Sequence, residues 1–229
     1  MGSVEIAKTL IYEASKAGAD MVKMQAIDAN VVARIGSMPK SFYESCELTT
    51  EQYLSCAQYG RTVGVPVFFS IFGTKHAVLN KVYKNSLHKI SGEQFRQMDA
   101  ESLMQWSNHR TIVSIPMDLG DLTPAKARAI WPMQKMMVGP YPPGAMRWEY
   151  MEHAKGLFPR IGYSDHTPGI EACKVAIKRY GCELIEKHFH LGAEIVWEGV
   201  KYRDCLHAAR PEQFSELTKF FKSLIKKDN

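Results

Sequence analysis

The chain has 229 residues, 45% of them apolar and 23% charged, with a formal net charge of +5; that is enough for one large core and short for two, so a single domain over 1–229 is expected. No apolar run approaches the ~18 residues of a membrane helix and the N-terminus lacks a basic-then-apolar leader pattern, so a cytoplasmic location is expected. The cysteines number 5, an odd count with no C-x-x-C spacing, which argues against a disulfide framework or a structural zinc, and the lysines of the last helix read as a solvated helix end with no nucleic-acid motif beside them.

In chain order, residues 3–17 place Val4, Ala7, Leu10, Ile11 and Ala14 on one helical face, with Ser3 as N-cap. Gly18 ends that helix, and A-D-M-V-K-M-Q-A follows as a strand on which Lys23 and Gln25 share a face. Residues 28–48, with Gly36, Pro39 and mixed charge, read as one long loop. T-T-E-Q-Y-L-S-C-A-Q-Y-G-R-T-V is then a capped helix with Glu51 in its first turn, and V-P-V-F-F-S-I-F a buried strand. A helix over 74–82 leads to the strand S-L-H-K-I-S, one over 99–107 to T-I-V-S-I-P-M, one over 123–130 to Q-K-M-M-V-G-P-Y-P-P-G, and one over 147–156 to the strand after Arg160. The last helix spans about 211–226.

The stretch from Arg160 to Leu191 organises the rest. R-I-G-Y-S-D-H-T and C-E-L-I-E-K-H-F-H-L are short apolar runs ending on ionisable groups, separated by helical spacing of Ile170, Cys173, Ala176 and Ile177, which makes a strand–helix–strand unit. His166 and His188 then lie on neighbouring parallel strand ends, one spacing of ~5 Å apart, where both could grip one metal ion. Alternation puts Glu186, His188 and His190 on one face and Lys187 and Phe189 on the other. About seven strands alternate with helices, and no G-x-G-x-x-G or P-loop pattern follows any of them. A parallel α/β sheet follows, with a (β/α)8 TIM-type barrel favoured over a doubly wound sheet.

The strand ends carry Lys23 and Gln25, Ser70, Lys89 and Ser91, Ser114, Tyr141, Ser164 with Asp165 and His166, and Glu186 with His188. Any one serine there could simply cap the next helix. Jointly, two lysines and several hydroxyls around a histidine pair make a pocket for an anion, and a metal held by two imidazoles with open positions can polarise a carbonyl oxygen. The residues alone therefore indicate a metal-assisted enzyme acting on an anionic, phosphorylated small molecule.

Taken together, G-Y-S-D-H-T at 162–167 and I-E-K-H-F at 185–189 resemble the paired signatures of the sialic acid synthase (N-acetylneuraminate synthase) family, phosphoenolpyruvate-dependent synthases of nonulosonic acids. Matches in order at G-S-V-E-I-A-K, A-G-A-D-M-V-K-M-Q, L-T-T-E-Q-Y, K-I-S-G-E, Y-P and Asp204-to-Pro211 extend the likeness over almost the whole chain. The resemblance implies His166 and His188 as ligands of a divalent metal, manganese or magnesium. It implies Lys23, Lys89, Ser91, Ser114, Tyr141 and Ser164 on phosphoenolpyruvate, and Gln25, Glu93 and Asp204 on an N-acylated amino sugar such as N-acetylmannosamine. With Glu186, which shares its strand face with His188, the expected catalytic set is His166, His188, Lys23 and Glu186. The implied reaction is attack of enolpyruvate C3 on the open-chain aldehyde, with water adding at C2 and phosphate leaving by C–O cleavage.

The family pattern also has a first strand, I-A-E-I-G-x-N-H, ahead of the present Met1, and a C-terminal antifreeze-like domain; this sequence carries neither, so a barrel lacking its first strand is expected. Exposed strand edges of that kind favour a homodimer. Further departures are Ile71 in place of a phosphate-binding threonine, K-I-S-G-E one residue short, S-I-P-M for S-T-G-M, and Gly139 where asparagine can occur. They leave a second reading, a catalytically degenerate relative acting as a binding or scaffold protein.

Overall fold

The structure is a computed structural model that describes residues 2–36, 38–79, 87–107, 110–139, 147–192, 195–202 and 204–225. Seven strands form one parallel sheet in chain order: β1 (Val22–Ala26), β2 (Val67–Ile71), β3 (His88–Ile90), β4 (Thr111–Pro116), β5 (Gln134–Val138), β6 (Gly162–Asp165) and β7 (Ile185–Lys187). A sequential all-parallel order with a helix between most neighbours is barrel topology, and the expected architecture is borne out. Among the described residues no ladder joins β1 to β7, so the sheet has two free ends.

Those ends nevertheless meet. In a flat sheet β1 and β7 would stand six spacings, roughly 29 Å, apart, whereas Lys23 of β1 and Glu186 of β7 approach to 3.3 Å. The sheet therefore curls into most of a barrel. Outside it, the helix Val4–Lys16 packs on the helix Pro211–Ile225, where Thr218 donates to the Ala17 carbonyl at 2.7 Å and Lys222 to that of Gly18 at 3.2 Å. The helical layer thus bridges the interval that the strands leave open.

The barrel interior is built in two storeys by strand alternation. Phe68, Ile112 and Met136 form a buried apolar floor, joined by Met21, Leu87 and Leu184. Two positions further along each of five of these six strands, the same inward face carries Lys23, Ser70, Lys89, Ser114 and Glu186. Polar residues therefore sit toward the carboxyl ends of the strands, above an apolar base. On β6 the floor position is Gly162, below Ser164, because a Cβ there would lie 2.6 Å from the Leu184 carbonyl oxygen and 3.1 Å from Met136 Cγ.

Local signals place the helices where expected. Ser3 accepts from Ile6 N–H at 3.2 Å, and Thr49 forms a capping box with Gln52 at the start of Thr50–Thr62. Gly18, with φ of 89°, supplies the left-handed turn after the first helix. The segment 28–48 corrects the sequence reading: it is no plain loop but contains the helices Ala29–Val32 and Lys40–Cys46. Its Met38, Phe42 and Tyr43 are buried against Trp197 and Tyr202, partners more than 150 positions away that local periodicity cannot reveal. Trp197 belongs to the hairpin β8 (Val196–Trp197) and β9 (Val200–Lys201), whose turn has positive φ at both Glu198 (49°) and Gly199 (80°), as a tight primed turn requires. Of the helix expected over 74–82, residues 80–82 lie outside the described residues, as does Tyr141. Among the described residues no helix is long and apolar enough to cross a membrane.

Crowding at the floor makes a definite expectation. Gly162→Ala should cost about 1–3 kcal/mol, the usual penalty for overpacking, read as a lower urea midpoint with unchanged slope; an unchanged midpoint would mean that the two-storey packing is described wrongly.

Candidate functional site

Above the floor lies a cavity of about 830 Å³ opening at the carboxyl ends of the strands. Of the residues singled out from the sequence, Lys23, Gln25, Lys89, Ser91, Glu93, Ser114, Ser164, His166, Glu186, His188 and Asp204 all line it. They come from five strands and the segments after them, so only the curled sheet brings them together.

Its centre is one carboxylate shared by two ammonium groups. Glu186 Oε1 pairs with Lys89 Nζ in a short contact, lies 3.3 Å from Lys23 Nζ, and accepts from Ser164 Oγ at 2.8 Å. Burial alone would raise the pKa of Glu186, but Lys23 and Lys89 outweigh it and hold the carboxyl well below the ordinary range. Lys89 pays the converse: burial first, and Lys23 after it, bring its pKa down to about 8 despite the pull of Glu186. Two ammonium groups against one carboxylate leave a surplus of positive charge facing the cavity. Ser114 is buried beside it, and its hydroxyl meets no hydrogen-bonding partner among the described residues. Ser91 does what the plainer reading allowed, capping the helix Gly92–Gln97 through Gln94 N–H at 3.2 Å, while Glu93 accepts from Gln97 at 2.9 Å and Gln25 is exposed at the rim.

The second centre is a group of imidazoles. β6 and β7 pair Ser164 with Glu186 and Asp165 with Lys187, so the next residues, His166 and His188, emerge side by side with ring centroids 5.3 Å apart. Burial, then neighbouring positive and imidazole charge, lowers the pKa of each to about 3. Both are neutral at physiological pH, the form in which an imidazole binds metal. A third ring, His207, completes the group at 5.2 Å from His166 and 4.8 Å from His188. The sequence reading missed it. His207 is delivered by a single parallel bridge beyond β7, Phe189 to Ala209, in which Ala209 N–H donates to the His188 carbonyl at 2.7 Å. One bridge leaves no periodic trace, and spacing alone does not distinguish His207 from His190, two residues after His188.

Asp165, although it stands between Ser164 and His166, faces the other way. On the outer side of the sheet it accepts from Tyr163 Oη (2.9 Å), Thr167 N–H and Oγ1 (2.9 and 2.8 Å), Cys173 Sγ (3.3 Å) and Lys187 Nζ (2.5 Å), and the Asp165 and Lys187 side chains are both 0% exposed. Burial, and after it the Asp165 charge, raises the Tyr163 and Cys173 pKa values, so both stay protonated donors. This buried clamp joins β6 to β7 directly behind the two histidines and fixes the loop that carries His166.

Comparison with known proteins agrees with this architecture. The NeuB family model matches residues 10–227. An uncharacterized protein of Methanocaldococcus jannaschii, MJ1065, is 27% identical over 225 residues; the match takes in 94% of this chain and 65% of that protein, so the chain spans just under two thirds of its relative's length. Among solved structures, the N-acetylneuraminic acid (sialic acid) synthetase of Leptospira borgpetersenii superposes with a TM-score of 0.78 at 20% identity, covering 99% of this chain and 80% of that one. The spore coat polysaccharide biosynthesis protein SpsE of Bacillus subtilis gives 0.74 at 23% identity, covering 99% and 65%. At such identities these two likenesses are of fold.

Two consequences are measurable. Asp165→Asn leaves the Lys187 ammonium buried without its counter-charge and should destabilise the protein by about 3–5 kcal/mol; urea unfolding that shows less than 1 kcal/mol would contradict a structural clamp, again on the scale of broken buried pairs. The imidazoles set an acid limit. With folded pKa values near 3 for His166 and His188 against an ordinary 6.5, the unfolded chain takes up protons first as pH falls. In chelator-treated protein the stability present above pH 6.5 should decline from there toward pH 3, by up to about 1.4 kcal/mol per pH unit for each ring, and a urea midpoint constant from pH 7 to pH 5 would refute it.

Proposed function

The chain belongs to the NeuB family, and on that premise we propose that it condenses phosphoenolpyruvate with the open-chain aldehyde of an N-acylated amino sugar, N-acetylmannosamine or a relative, giving a nonulosonic acid and phosphate. The observation that carries the reading is the pairing of a doubly lysine-lined anion pocket with a cluster of neutral imidazoles in one cavity.

Lys23 and Lys89 would receive the phosphate and carboxylate of phosphoenolpyruvate, with Ser114 and Ser164 adding neutral donors. Glu186 holds the two ammonium groups in place before substrate arrives, so the pocket needs no rearrangement to accept an anion. Gln25 and Glu93 at the outer rim, with Asp204 beside the histidines, would bind the hydroxyl and acylamino groups of the acceptor. In the reaction, C3 of the enolpyruvate forms the new bond to the aldehyde carbon, water adds at C2, and the C2–O bond to phosphate breaks, with the phosphate charge received by the lysines.

The donor set fits a divalent metal: three imidazoles within reach of one another, His166 and His188 lining the cavity and His207 buried against both. His166 and His188 would hold it, and when bound it would supply Lewis-acid polarisation of the acceptor carbonyl oxygen.

The test is phosphate release and product formation from phosphoenolpyruvate and N-acetylmannosamine with added manganese. His188→Ala should lose at least about 100-fold in rate, while calorimetry still detects phosphoenolpyruvate binding through Lys23 and Lys89. Equal phosphate release from both proteins would rule out the assignment, and binding without turnover in the unsubstituted chain would indicate the binding or scaffold role instead.

A further inference from the structure

We infer that His207 is a third ligand of the metal held by His166 and His188, making the centre a three-imidazole site for a divalent first-row transition ion and a poor site for magnesium. This rests on the reading of His166 and His188 as metal ligands.

One nitrogen from each of the three rings lies within 4.8 Å of the other two. Around an ion with bonds of about 2.1 Å the donor atoms stand roughly 3.0–3.4 Å apart, so an inward closure of about an ångström completes the set. His207 is 0% exposed, and its ring meets those of both His166 and His188 edge-on. Such a ring is costly to bury as a core residue, and a carboxylate stands beside it. Asp204 Oδ1 lies 3.6 Å from His207 Nε2, and Tyr202 Oη donates to Asp204 Oδ2 at 2.7 Å. At that separation Asp204 acts on the ring through its charge and not through a hydrogen bond, favouring a cation at the imidazoles, and Tyr202 holds the carboxylate in place.

Three imidazoles change the choice of metal. Nitrogen-rich sites bind first-row divalent ions with affinity that rises from manganese to copper and falls again at zinc, whereas magnesium prefers carboxylate and water oxygens in a strict octahedron. Three facial nitrogens still leave positions open toward the cavity for substrate oxygens.

The experiment titrates Co²⁺ alone into the chelator-stripped full chain, followed by visible absorption and calorimetry, with Mg²⁺ as competitor. One Co²⁺ per chain is expected, undisplaced by a thousandfold excess of Mg²⁺. His207→Gln should weaken Co²⁺ at least tenfold and shift its visible bands, and Asp204→Asn should weaken it to a smaller degree. If His207→Gln binds Co²⁺ like the parent while His188→Ala does not, His207 is no ligand and the two-histidine reading stands; if the parent binds none, both fall. Should His207→Gln not fold by circular dichroism, X-ray absorption on the Co²⁺-loaded parent decides, three imidazoles per ion supporting the inference and two overturning it.

Discussion

One carboxylate organises this molecule. Glu186 on β7 is shared by Lys89 from β3 and Lys23 from β1, so a single side chain ties both ends and the middle of the sheet to a common point. Burying a carboxylate unpaired would be prohibitive, and burying two lysines without it equally so. The curl of the sheet lets these charges neutralise one another, and the same curl gathers the remaining polar residues into one cavity. Fold and site meet in this pairing.

The two centres of the cavity differ in how the protein handles charge. In the lysine cluster, opposite charges compensate one another and leave a net positive field. Among the histidines, burial and that same positive field suppress charge altogether: Lys23 adds to burial in lowering the His188 pKa. The lysine cluster therefore keeps its charge, while the imidazoles beside it keep their lone pairs available. Behind both, the Asp165–Lys187 pair satisfies its own charges on the outer face of the same two strands. Strand alternation lets adjacent residues serve opposite sides of the sheet without interfering.

Much of this was legible in the sequence. Short apolar runs ending on polar residues, joined by helical periodicities, identified seven parallel strands, and alternation along I-E-K-H-F assigned Glu186 and His188 to one face and Lys187 to the other, as found. His166 and His188 could be paired because consecutive strands of such a unit are neighbours. What stayed hidden depends on contacts distant in sequence. Phe42 and Tyr43 looked like loop residues because their partners, Trp197 and Tyr202, lie at the other end of the chain. His207 is brought against the two cavity histidines by one backbone bridge, too brief to leave a pattern. Asp165 was grouped with its polar neighbours because a short strand end gives few residues from which to read the alternation.

The manner in which the sheet is gathered has a mechanical corollary. Where a closed barrel is hooped by backbone ladders of fixed spacing, here the interval between β1 and β7 is spanned in the interior by the reach of Lys23 to Glu186 and outside by helix contacts such as Thr218 to Ala17. Side-chain ties stretch and exchange partners far more readily than ladders. The girth of the barrel and the pairing of its lysines are therefore coupled: were Lys23 drawn away from Glu186, the lacing that sets how wide the vessel stands would loosen.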